Sequence, residues 1–89
     1  MTTPAQTVPL PDFLWAREAQ ALLTSLMERK GITFGDLAAM LTAGGTEISG
    51  PELETEVLRL DLGVGLFFQC LHALGIERVE IADIDPSRV

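Results

Sequence analysis

Apolar residues recur at helical spacing through most of this chain and alternate with polar ones only near its end. Trp15, Ala19, Leu22 and Leu26 fall at i, i+4, i+7 and i+11, and Leu23 and Met27 widen the stripe, the pattern of a long amphipathic helix. Asp12 is placed to cap that helix, Arg29 and Lys30 suit the negative end of its dipole, and Gly31 is its natural stop. Thr33 opens a second helix, with Asp36 as the far half of a capping box and Phe34, Leu37, Ala38 and Leu41 on one face, up to Gly44-Gly45.

A third helix is expected around Pro51, capped by Ser49 or Gly50, with Glu52 and Glu54 near its positive end and Leu53, Val57 and Leu60 turned inward. Leu62-Gly63-Val64-Gly65 reads as the turn into a fourth helix that buries Phe67, Phe68, Leu71 and Leu74 beside Cys70 and stops at Gly75. Its apolar surface is wider than one stripe needs, so it is expected to be the most buried element. Arg78, Val79, Glu80, Ile81 and Ala82 alternate polar with apolar, the pattern of a short half-buried strand. Four helices offer such a strand no edge, so pairing with the same segment of a second copy, in a two-fold homodimer, would satisfy its backbone. Residues 1–11, with three prolines and no periodicity, read as a flexible lead-in, and 83–89 as a polar tail, flanking one domain at 12–82.

At 89 residues the chain supports one core, and with 47% hydrophobic and 21% charged residues it should fold. No apolar run is long enough for a membrane span and no signal peptide is evident, so a cytoplasmic protein is expected. The net charge of −7 is unevenly placed: three basic and four acidic residues lie up to Gly45, three basic and nine acidic from Thr46 onward. A surface of that sign is poorly suited to nucleic acid or to anionic lipid.

The segments Arg29-Lys30-Gly31-Ile32-Thr33 and Asp36-Leu37-Ala38, and above all Phe67-Phe68-Gln69-Cys70-Leu71-His72-Ala73-Leu74-Gly75, carry a family likeness. With Trp15, Ala19, Leu22-Leu23 and Leu41, they resemble an uncharacterised family of small bacterial domains of the lambda-repressor-like class. The resemblance implies a mainly α fold, a four- to five-helix helix-turn-helix domain, here with a short C-terminal β-strand. It also implies a third helix presented to DNA, and similar sequences place Asn, Arg and Lys there, followed by Arg-Gly. This chain has Glu54-Thr55-Glu56-Val57-Leu58-Arg59-Leu60-Asp61-Leu62-Gly63 instead, and of these only Arg59 could reach a phosphate or a guanine edge. The outer face expected on that helix centres on Thr55, Leu58 and Arg59, flanked by Glu52, Glu54 and Glu56.

No residue set asks for a cofactor or metal. Cys70 is alone and sits in an apolar series, as a buried thiol would. His72 is two positions away, about 200° around a helix, and so cannot pair with Cys70 as a nucleophile. Asp83-Ile84-Asp85-Pro86 lacks the glycine and distal glutamate of a cation loop, and Gly63-Val64-Gly65 lacks the preceding strand and third glycine of a nucleotide loop. Trp15 reads as a core anchor or a subunit contact. The expectation is a non-catalytic protein-interaction module on a repressor-like scaffold, a homodimer open to another protein as partner, with weak or absent DNA binding. A DNA-binding transcriptional regulator is the alternative.

Overall fold

A computed structural model describes residues 12–86. Within them the chain forms α1 (Asp12–Lys30), α2 (Phe34–Ala43), α3 (Gly50–Leu58), α4 (Val64–Ala73) and a single 3₁₀ turn at Ile81–Asp83. The expected lead-in at 1–11 and the last residues of the tail, 87–89, lie outside the described residues. No described helix is long and apolar enough to cross a membrane.

The helix starts follow the local chemistry. Thr33 caps α2 by accepting from the Asp36 amide at 3.0 Å, while its own amide donates to Asp36 Oδ2 at 3.0 Å. Ser49 and Glu52 repeat the same reciprocal box at α3, at 3.2 and 2.9 Å. The helix ends repeat a second motif. After α1, the amides of Gly31 and Ile32 reach back to the carbonyls of Glu28 and Met27, and the same 5→2 and 6→1 pairs close α2 at Gly45 and α4 at Gly75. The residue that takes the left-handed conformation is Gly31 (φ 68°), Gly45 (φ 106°) and Gly75 (φ 79°). At the end of α3 the same position is filled by Leu60, at φ 61°.

The core is built from one face of each helix. Leu23, Leu26 and Met27 of α1 meet Leu37, Ala38 and Leu41 of α2, Leu53 and Val57 of α3, and Cys70, Leu71 and Leu74 at the end of α4. The tightest helix approach is between the first turns of α2 and α3. A Cβ placed on Gly50 would lie 3.0 Å from Gly35 Cα and 3.3 Å from Gly35 N. Thr46 Oγ1 donates to Gln69 Oε1, tying the α2–α3 loop to α4.

Three expectations need correction. Residues 78–82 are not a strand, and none occurs among the described residues. The Glu80 amide donates to Asp83 Oδ2 at 3.1 Å and the Asp83 amide to the Glu80 carbonyl at 2.9 Å, so a local carboxylate closes a 3₁₀ turn where the alternation suggested extended chain. Arg78, Glu80, Ile81 and Ala82 are exposed, and only Val79 packs against the core. Secondly, α4 is not buried along its whole apolar face: Phe67 is half-buried and Phe68 is 59% exposed. Thirdly, Leu60 lies beyond the end of α3 and is half-buried, and the inward stripe of α1 is turned toward Leu23, Leu26 and Met27, leaving Trp15 half-buried.

Candidate functional site: an apolar groove beside the third helix

Some of the apolar side chains left out of the core come together: of the exposed large ones, Val64 and Phe68 share a groove, while Phe13, Met40, Leu58 and Ile81 lie elsewhere. On α1, Trp15, Ala16 and Ala19 form one wall of a groove of about 320 Å³; Val57, Leu60 and Leu62 form a second. Val64, Phe67 and Phe68 at the start of α4 close the third side, and Ile84 covers one end. Val64 is 73% exposed and Phe68 59%, while the Phe67 and Phe68 rings lean on one another at 5.6 Å between centroids. Among the described residues Gln20 is the only polar one lining it, and its Nε2 already donates to the Val57 carbonyl at 3.0 Å. The described lining carries no titratable group, and it is suited to bind apolar surface.

Leu60 bears on the geometry of this groove. A β-carbon in the left-handed region costs roughly 1–2 kcal/mol, a cost avoided at the other three helix ends by glycine. Here the leucine side chain lines the groove, so a backbone position that glycine would fill without strain supplies a wall instead.

α3 and its C-cap Arg59 also present an outer face. Glu52, Thr55, Leu58 and Arg59 are exposed and Glu56 is half-buried. Leu58 is 58% exposed and is not a lining residue of the groove, so the two surfaces lie on different sides of the helix. What the sequence did not reveal is the disposition of the helix starts. Because Gly35 and Gly50 touch, α2 and α3 begin side by side, and each start is occupied by a carboxylate of the chain itself. The hydrogen bonds that Asp36 accepts from Thr33, and Glu52 from Ser49, lower the pKa of both carboxyls from the usual range. Both therefore stay anionic at neutral pH at the end of the helix pair where a helix-turn-helix protein would approach phosphate.

The remaining candidates do not assemble. Burial of Cys70 pushes its thiol up to about 11, so it is a neutral core atom at physiological pH. His72 is exposed. Among the described residues no three His, Cys, Asp or Glu side chains come together as metal ligands. No curated protein and no solved structure matches the chain. One family does match, over residues 15–79, a span that takes in all of α2, α3 and α4, most of α1 and most of the groove. The chain belongs to the family described as a domain of unknown function (DUF6471).

Proposed function

We propose that this domain is a non-catalytic protein-interaction module built on a helix-turn-helix-like scaffold. The observation that carries this reading is the groove between α1, α3 and α4: ten of its eleven lining residues are apolar, and the eleventh has its amide committed to the backbone. An open apolar surface of this kind is a recognised mark of an interaction site. The acidic outer face of α3 and the carboxylate-capped helix starts support it, because both oppose a phosphate backbone.

The second reading, a DNA-binding regulator of the lambda-repressor-like class, is favoured by one observation. The α2–α3 pair is tightly packed, and Arg17, Arg29, Lys30 and Arg59 are all exposed. Strand pairing is no longer a reason to expect homodimerisation through residues 78–82, since Ile81–Asp83 form a capped 3₁₀ turn; light scattering tests the dimer itself.

The test has two arms. Mobility shift of duplex DNA is expected to give weak binding at low salt that disappears at about 150 mM; sub-micromolar binding that survives that salt would promote the regulator reading. In parallel, cross-linked partners recovered with the wild-type protein are expected to survive Arg59→Ala and to be lost with Phe68→Ser. Loss with Arg59→Ala alone would move the interaction surface from the groove to the outer face of α3.

A further inference from the structure

Resting on the interaction-module reading, we infer that the occupant of the groove is an amphipathic helix from a partner protein, with an apolar anchor stripe flanked by Lys and Arg.

Three features of the molecule specify that chemistry. The first is the mode of attachment. No strand is present among the described residues to offer an edge for strand addition, and an apolar groove lined by α1, the α3–α4 connection and the start of α4 is the kind of surface that accepts another helix. A volume of about 320 Å³ is at the small end for binding pockets. It suits a few anchoring side chains at i, i+3 and i+4 and would not hold a folded domain.

The second feature is charge. The residues that adjoin the lining positions along the chain include the carboxylates Glu18, Glu56, Asp61, Asp83 and Asp85 and only two cations, Arg17 and Arg59. An apolar floor carried on chain segments of net acidic charge is complementary to an apolar stripe with basic margins, and the protein's net charge of −7 steers such a segment toward it. A second copy of this chain would instead bring a net charge of −7 against the same margin. The third feature is preorganisation. Leu60 is held in the left-handed conformation by the backbone hydrogen bonds that end α3, so the wall it forms is in place before any partner arrives.

Trp15 lines the groove and is the only tryptophan in the chain, so its fluorescence reports occupancy directly. The probes are three synthetic helices of about 18 residues, long enough to be helical, sharing one leucine stripe and carrying Lys, Gln or Glu on the other face. The Leu/Lys helix is expected to shift Trp15 emission with a Kd below about 100 μM. Its binding should weaken with salt, by about tenfold with Phe68→Ser through lost apolar contact, and measurably with Glu56→Gln/Asp61→Asn. The Leu/Glu helix is expected not to bind.

Equal binding of the Lys, Gln and Glu helices would overturn the basic-partner inference and leave the interaction groove standing. A Trp15 shift with the Lys helix that is indifferent to Phe68→Ser would mean attraction by net charge alone and would overturn the groove as its site. If light scattering gives twice the chain mass and Phe68→Ser restores the monomer, the occupant is a second copy, which refutes the inference but not the module. Absence of binding by all three helices, with a monomeric protein, would refute both.

Discussion

The closest structural test of the fold is a pair of glycine substitutions that should act in opposite directions. A Cβ on Gly50 would sit 3.0 Å from Gly35 Cα and 3.3 Å from Gly35 N, well inside the roughly 3.5–4.0 Å at which carbon atoms attract. The obstacle is backbone, which cannot rotate away, so α2 and α3 must separate. That movement loosens Leu37 and Leu53, both at 0% exposure. Gly50 also precedes Pro51, whose ring disfavours a helical neighbour that carries a Cβ. Overpacking of this kind costs about 1–3 kcal/mol, and alanine's helical preference returns at most about 1. Gly50→Ala is therefore expected to lose about 1–2 kcal/mol, some 5–15 °C in a domain of this size. A Cβ on Gly35 meets only Thr33 Oγ1, at an ordinary 3.7 Å, so Gly35→Ala should be neutral or gain up to about 1 kcal/mol. Urea unfolding followed by Trp15 fluorescence and by circular dichroism measures both. A Gly50→Ala protein at least as stable as wild type, or a Gly35→Ala protein equally damaged, would refute the close approach.

Leu71→Ala should cost about 2–5 kcal/mol, because that side chain is in the core, while Phe68→Ala should cost under about 1 kcal/mol; similar denaturant midpoints for the two would reverse the assignment of the two faces of α4. Leu60→Gly removes strain and a half-buried side chain together, so its stability should stay within about 1 kcal/mol of wild type, while binding of the Leu/Lys helix weakens. Lowered folded-state pKa values at Asp36 and Glu52 mean that their contribution is complete above the unfolded carboxylate range, about 3.9–4.3, and is lost as pH falls through the lower folded values. Stability should accordingly be level from pH 7 to 5 and decline below about 4, and Asp36→Asn/Glu52→Gln should flatten that decline.

The helices were legible because their signals are local. A hydroxyl followed three residues later by a carboxylate marks the start of α2 and of α3, and Gly31, Gly45 and Gly75 mark three of the four ends. The fourth end has no such mark, and the sequence accordingly carried α3 two residues too far, to Leu60. The groove was not legible for a related reason. Hydrophobic periodicity says that Phe67 and Phe68 both belong to an apolar face, but a helix with more apolar surface than its neighbours can cover gives no indication of which ring is left outside. That depends on how α1 and the chain beyond α3 meet the start of α4 around the groove. The strand at 78–82 failed on competition: two alternating apolar residues are a weak signal, and a carboxylate three residues beyond Glu80 gave the backbone a nearer partner.

The same caps bear on what the α2–α3 pair can bind. Helix starts are natural anion sites, since their free amides and the dipole both favour negative charge. A domain that used the α2 and α3 starts to hold phosphates would need those amides uncommitted. Here the amides of Asp36 and Glu52 are given to the hydroxyls of Thr33 and Ser49, and the two carboxylates stand beside them, fully exposed and anionic. The residues that stabilise the helix pair are thus the ones that set negative charge at its two starts. The apolar groove lies apart from Leu58: it is lined by Val57 at the edge of the core and by Leu60 and Leu62 beyond the end of α3. Acid-capped starts and an apolar flank make the surfaces around one short helix differ in what they can bind, and burial of the flank offers a free energy that the charged starts lack.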